Sequence, residues 1–229
     1  MQKILHYLGN FAGIIIAFVL YGVLQEFYFY PRIIARRFHM PYQGFVTALI
    51  TVLVMALIFW IYKKQLQEVN YWHFNQEPHW NLRRILIAIL GFFLITFLGA
   101  AMLSIVSSKG QAISTNQKGL DLISKQSGDL FKIMVCFVAP FCEEVIFRGM
   151  FFNTFFTKNT TFNKWAGILT SGFVFAYVHD PMLSKFILVY WVLGCVLAWV
   201  YMMTKDLRYS MITHMCYNSI GFISMMMLI

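Results

Sequence analysis

Seven apolar stretches, each close to the length needed to cross a bilayer, recur along the chain between short polar connections. A helix needs about 20 apolar residues to cross roughly 30 Å of hydrocarbon. The stretches are apolar on every side rather than alternating, and this favours helices over a β-barrel. They cover approximately residues 9–30, 45–62, 85–106, 130–156, 165–182, 186–203 and 209–229. The sequence therefore predicts an all-α polytopic transmembrane helix bundle of about seven membrane helices, within a range of six to eight.

The composition excludes most soluble folds and indicates lipid as the main partner of the surface. Hydrophobic residues make up 60% of the chain and charged residues only 12%, where soluble domains average about 45–50% and about 25%. Intrinsic disorder is excluded by the same numbers, since it requires low hydrophobicity and high charge. The net charge of +9 indicates attraction to anionic headgroups. No nucleic-acid partner is expected, because the cations are scattered and no basic helix or finger motif is present.

Polarity divides the chain into two parts. Residues 1–129 hold the first three predicted helices and end in the most polar stretch, a predicted loop over residues 107–129. Residues 130–229 hold the last four predicted helices and the ionisable side chains that fall well inside apolar spans. We therefore interpret the first part as N-terminal membrane helices and the second as the functional part.

Ionisable side chains inside a membrane span cost at least about 2.5–3.5 kcal/mol each on insertion scales, so each one is a functional-site hypothesis by default. They form three short patterns along the second part of the chain. These are Glu143-Glu144-Val-Ile-Phe-Arg148, Phe175-Ala-Tyr-Val-His179 and His214-Met-Cys-Tyr-Asn218. The cumulative insertion cost is more than helix packing requires, which favours a functional role over a purely structural one.

The spacing within the patterns indicates how the side chains can cooperate. Glu144 and Arg148 stand four residues apart with the acid first, the favourable order for an ion pair on one helix face. Glu143 lies about 100° around the same helix and has no local partner, so it is the candidate general base. Such an inventory of carboxylates, imidazoles, a guanidinium and an amide suits hydrolysis of a peptide bond by an activated water. No serine stands at an evident spacing from a histidine, so a covalent nucleophile is the weaker hypothesis.

Two other classes of function fit the same residues. In a transport subunit, buried carboxylates and histidines would form a proton or ion relay, although no internal repeat relates the halves of the chain as in many transporters. In a non-catalytic scaffold or immunity protein, the fold would act through binding alone. Substitution of these residues would separate the three functions. A protease would lose cleavage, a transport subunit would lose proton-coupled flux, and a scaffold would keep its binding function.

In this order, the three patterns resemble the CPBP, or Abi, family of intramembrane proteases, whose signature is EExxxR, FxxxH and HxxxN on successive transmembrane helices. The family includes the CAAX prenyl endopeptidases, and the resemblance covers roughly residues 130–229. It implies that four residues act on the scissile bond: Glu143, His179, His214 and Asn218. The first two would activate the attacking water, and the last two would stabilise the oxyanion. Glu144 and Arg148 would position the substrate or support the site.

The resemblance leaves the use of a metal open, because family members have been described both as metalloproteases and as glutamate-dependent proteases. The zinc motif HExxH is absent, and no two histidines stand four residues apart. We therefore expect no cofactor and a metal-free Glu/His mechanism. If zinc is bound, its expected ligands are Glu143, His179 and His214.

The predicted spans raise one geometric difficulty, since His179 lies past the middle of the fifth span and His214 near the start of the seventh. At 1.5 Å per residue, simple antiparallel stacking leaves them roughly 15 Å apart in depth. The two histidines can share a site only through strong tilt, shifted boundaries or a helix broken near Pro181.

The expected substrate is a membrane-associated peptide or protein. The compact chain without a retention signal is typical of a bacterial cytoplasmic-membrane protein. Bacterial relatives in this family are associated with peptide-pheromone export, bacteriocin maturation and self-immunity, and the resemblance implies processing of that kind.

Overall fold

The computed structural model describes residues 2–77, 79–107 and 114–227, and within these ranges every regular element is a helix. The first five helices are α1 Gln2–Phe29, α2 Pro31–Phe38, α3 Gln43–Glu68, α4 Leu82–Ser107 and α5 Thr115–Ser127. The next three are α6 Asp129–Ile133, α7 Ala139–Glu143 and α8 Phe151–Phe155. The last three are α9 Thr161–His179, α10 Ile187–Thr204 and α11 Leu207–Met227.

Within the described residues, all seven predicted apolar stretches are helical over most of their length, which confirms a helical membrane bundle. By length and composition, four helices of the described chain can cross a membrane: Ile4–Phe29, Gln43–Glu68, Leu82–Ser107 and Ile187–Thr204. The other three stretches carry the charged and polar site residues or are shorter in apolar sequence, so the number of seven spans stays a prediction. Large apolar side chains such as Phe93 and Phe97, which are 61% and 72% exposed, form the outer surface that lipid covers.

The predicted loop over residues 107–129 is wrong for residues 115–127, which form the amphipathic helix α5. Ser114 caps this helix by accepting a 3.1 Å hydrogen bond from the backbone N–H of Gln117, as in a Ser-x-x-Gln capping box. Gly128 follows the last residue with a φ of 61°, which favours glycine at a helix end. Residues 108–113 of the predicted loop lie outside the described residues.

Residues 129–155 form one continuous helical segment in which π-helical turns, Met134–Val138 and Glu144–Met150, alternate with α6, α7 and α8. The backbone N–H of Ala139 bonds to the carbonyl of Met134, five residues back. In the same register the next donor would be residue 140, but Pro140 has no N–H. The Val135 carbonyl therefore lacks a backbone donor, and the Asn218 side chain of α11 donates to it at 2.9 Å.

Helices α9 and α10 pack backbone against backbone at two glycines. A Cβ added at Gly194 would lie 2.8 Å from the Cα of Gly172, and one added at Gly172 would lie 2.7 Å from the backbone nitrogen of Cys195. Only glycine permits such an approach, as in other small-residue helix contacts within membranes. The contact places the α10 backbone next to the segment that carries the ionisable residues.

Candidate active site

Glu144 and Arg148 form a fully buried ion pair in the middle of the bundle. Arg148 Nη1 lies 3.1 Å from Glu144 Oε1, and both side chains are 0% exposed. The guanidinium also donates through Nη2 to the Gly194 carbonyl at 3.2 Å and stacks on the Phe175 ring at 4.6 Å. The close packing of α9 and α10 brings these two partners to Arg148, so the charge of the predicted pair is matched and one further guanidinium donor has an acceptor.

His214 of α11 connects the two neighbouring glutamates. Its Nδ1 lies 3.0 Å from Glu144 Oε1, and its Nε2 lies 3.8 Å from Glu143 Oε2. A carboxylate accepts but does not donate, so Nδ1 carries a proton in the first contact. The second distance is beyond hydrogen bonding. The imidazole, only 2% exposed, is thus held by Glu144 with Nε2 directed towards Glu143.

Glu143 has a partner from the N-terminal part of the chain that its sequence pattern does not reveal. Tyr21 of α1 donates its hydroxyl to Glu143 Oε1 at 2.6 Å, across 122 residues of sequence. Gln25, one turn further along α1, donates to the Tyr21 hydroxyl oxygen at 3.1 Å. The first helix therefore contributes directly to the group that residues 130–229 carry.

His179, the last residue of α9, lies between two aromatic rings. Its ring centroid is 4.3 Å from that of Phe175 and 5.2 Å from that of Tyr190. Its Nδ1 is 2.9 Å from the Phe175 carbonyl oxygen, so Nδ1 is the donor and Nε2 is left available. The imidazole also interacts electrostatically with Glu143 and His214.

The expected separation of roughly 15 Å in depth between the two histidines is wrong. The Phe175 ring contacts both imidazoles, with centroid distances of 4.3 Å to His179 and 5.9 Å to His214, so both imidazoles lie against the same aromatic ring. The boundaries of α9 and α11 differ from the predicted ones by at most four residues. The histidines therefore converge through the tilt and offset of these helices against one another, which the sequence does not specify.

Five of the six predicted residues form one connected group, and the sixth lies beside it. Glu143, Glu144, Arg148 and His214 are linked by direct contacts, and His179 joins them through Phe175. Asn218, one turn after His214, donates one side-chain N–H to the Val135 carbonyl. Its second N–H remains for another acceptor.

The residues named for zinc do not fit a metal centre in this arrangement. Nowhere in residues 2–77, 79–107 and 114–227 do three His, Cys, Asp or Glu side chains come close enough to hold a metal ion. The Phe175 ring contacts both His179 and His214, and Nδ1 of His214 already bonds to Glu144. A zinc site built from Glu143, His179 and His214 would require these side chains to move closer together.

Comparison with known proteins shows what this segment is similar to. Residues 128–220 match the family described as type II CAAX prenyl endopeptidase Rce1-like, and all six predicted site residues lie inside that range. The C-terminal segment is therefore similar to this family of endopeptidases, in line with the resemblance that the three sequence patterns indicate. Tyr21, which contacts Glu143, lies outside the matched residues.

Proteins similar to the chain come from several bacteria. The chain is 33% identical over 138 residues to YdiL of Bacillus subtilis, provisionally named a membrane peptidase, with 59% of this chain and 54% of the relative covered. It is 32% identical over 142 residues to the membrane-embedded CAAX protease MroQ of Staphylococcus aureus, with 59% and 55% covered. It is 29% identical over 150 residues to the UPF0177 protein YxdF of Lactococcus lactis, with 64% and 80% covered.

The matched part thus spans about half the length of the first two relatives. No solved structure matches the chain. The relatives and the apolar helices together identify an integral membrane protein of bacterial type.

Proposed function

We propose that the protein is an intramembrane endopeptidase that hydrolyses a peptide bond in a membrane-associated peptide or protein. The single observation that carries this proposal is the position of Glu143. Glu143 is 7% exposed. Its carboxylate accepts a hydrogen bond from the Tyr21 hydroxyl on one oxygen and faces His214 Nε2 with the other. A carboxylate oriented in this way and shielded from bulk water suits a general base.

In the proposed reaction, Glu143 Oε2 takes a proton from a water whose oxygen attacks the scissile carbonyl carbon. His179, clamped by Phe175 and Tyr190, presents Nε2 to the same water. The proton is then delivered to the leaving amine as the carbon–nitrogen bond breaks, and Glu143 returns to its ionised form. The products are a new carboxyl end and a new amino end.

The oxyanion of the tetrahedral intermediate needs donors that are already oriented. His214, fixed through Nδ1 by Glu144, can donate from Nε2 in its protonated form. The second N–H of Asn218 is the other proposed donor. The buried Arg148 balances the charge of Glu144, so Glu144 and Arg148 act by orienting His214.

We propose a metal-free mechanism, with zinc on Glu143, His179 and His214 as the alternative that a metal measurement tests. We also propose that the substrate is a short peptide held at the bacterial membrane, such as a peptide pheromone or a bacteriocin, or that cleavage serves self-immunity. The similarity to a membrane-embedded CAAX protease supports the class of substrate.

The test is cleavage of a panel of membrane-associated peptides by the protein purified in detergent. Wild type, a chelator-treated sample and Glu143→Gln are compared, and bound zinc is quantified in each. We expect cleavage by wild type with or without chelator, and none by Glu143→Gln. Stoichiometric zinc with chelator-sensitive cleavage would replace the metal-free mechanism by a metalloprotease. Proton-coupled flux without cleavage would favour the transport function instead.

A further inference from the structure

Glu143 is contacted by a residue of α1, a helix that lies outside the segment that matches the protease family. Tyr21 is 4% exposed, and its hydroxyl is 2.6 Å from Glu143 Oε1. The matched segment begins only at residue 128. Of the residues in the three sequence patterns, His214 contacts Glu143 only at 3.8 Å, which is beyond hydrogen bonding, so the hydrogen bond that orients this carboxylate comes from the first helix.

The direction of the hydrogen bond is fixed by a second residue on α1. Gln25 Nε2 donates to the Tyr21 hydroxyl oxygen at 3.1 Å, so that oxygen is the acceptor in this contact and its proton points to Glu143. A distance of 2.6 Å falls within the range of about 2.5–2.7 Å for a hydroxyl that donates to an ionised carboxylate. Chained hydrogen bonds of this kind reinforce one another in a low-dielectric interior.

The contact also determines which carboxylate oxygen is left for chemistry. Because Oε1 is engaged by Tyr21, Oε2 is the oxygen that faces His214 Nε2 at 3.8 Å. A partial rotation of the carboxylate about its Cγ–Cδ bond would turn Oε2 and its lone pairs away from His214. The Tyr21 hydroxyl opposes that rotation.

We propose that Tyr21 is a positioning residue for Glu143, holding the carboxylate with Oε2 directed at the reacting water; this inference rests on the proposed function. Tyr21 acts through Glu143 and does not itself touch the substrate. Loss of its hydroxyl therefore slows the chemical step without changing substrate binding.

The test is the steady-state kinetics of Tyr21→Phe, which keeps the ring and removes only the hydroxyl. We expect kcat to fall about ten- to a hundred-fold, the range typical for a misplaced catalytic group, with KM unchanged. The matched control is Tyr28→Phe. Tyr28 lies on the same helix, is equally buried at 4% exposure and bonds through its hydroxyl to Thr51 at 2.7 Å, away from Glu143. If the Tyr21 hydroxyl only stabilised the fold, Tyr21→Phe and Tyr28→Phe would have the same kcat and KM.

A second variant covers the case in which Tyr21→Phe does not fold. Gln25→Leu retains the Tyr21 hydroxyl but removes the group that orients it, and we expect a smaller loss of kcat, again with KM unchanged. Cleavage by wild type together with an unchanged kcat in Tyr21→Phe, or in Gln25→Leu where Tyr21→Phe does not fold, overturns the role of Tyr21 and leaves the proposed function intact. No cleavage by wild type on any peptide that a relative cuts overturns the proposed function, and this inference with it.

Discussion

Removal of the Arg148 guanidinium would leave the Glu144 carboxylate buried without its cation. Both side chains are 0% exposed and 3.1 Å apart, and the Gly194 carbonyl would lose a donor as well. Breaking a buried pair by removing one partner costs about 3–5 kcal/mol. His214 Nδ1 lies 3.0 Å from the same carboxylate oxygen and remains a hydrogen-bond donor to it, which offsets part of this cost. We therefore expect Arg148→Met to lower the free energy of unfolding by about 3 kcal/mol, a factor of more than about a hundred in the folding equilibrium.

The measurement is equilibrium unfolding of the purified protein in bicelles, with Lys132→Met as the control. Lys132 and Asp129 form an ion pair of 2.7 Å, but their side chains are 43% and 88% exposed, and exposed pairs contribute little. The control should therefore be as stable as wild type. The double variant Glu144→Gln/Arg148→Met removes both charges and should recover most of the lost stability. A single variant within about 1 kcal/mol of wild type, or a double variant no more stable than the single, would refute the reasoning.

The same unfolding assay tests two further features. Asn218→Ala leaves the Val135 carbonyl without its donor and should lower the free energy of unfolding by about 1–3 kcal/mol. Adding Pro140→Ala to this variant supplies a backbone N–H and should recover part of the lost stability. Further destabilisation by Pro140→Ala would contradict the assignment of the π-helical turn. Burial, and then repulsion from Lys164, lowers the pKa of Lys205, in the connection between α10 and α11, from 10.5 to about 8. Between these two pH values the unfolded chain binds the proton that the folded chain has lost, so the free energy of unfolding should rise with pH in that window. Lys205→Met should remove this rise. An identical rise in wild type and Lys205→Met would contradict the assignment to Lys205.

The helices were largely predictable because each is long and apolar around its whole circumference. The missed helices α2 and α5 are short, polar and amphipathic, so they lack the continuous apolar stretch from which the other helices were predicted. A signal for α5 was nevertheless present in the capping residues Ser114 and Gln117 and in Gly128. The number of spans was less predictable, since the charged residues of the site lower the hydropathy of the helices that carry them.

The pairing of Glu144 with Arg148 was predictable because it depends only on the geometry of one helix. The convergence of His179 and His214 was not, since it depends on the tilt and offset of α9 and α11. Tyr21 carried no signal either, because a tyrosine in an apolar helix is indistinguishable from a packing residue until its hydroxyl is seen 2.6 Å from Glu143. Local spacing thus revealed the motif residues, and only tertiary structure revealed what orients them.

The central claim, that Glu143 is the base that activates the attacking water, is tested most directly by kcat for Glu143→Gln. Glutamine keeps the size and polarity of the side chain but cannot take up the proton, and Glu26→Gln, an exposed site on α1, is the matched control. The account predicts that Glu143→Gln folds like wild type and has no measurable cleavage, while Glu26→Gln cleaves at the wild-type rate. Cleavage by Glu143→Gln at the wild-type rate would contradict it.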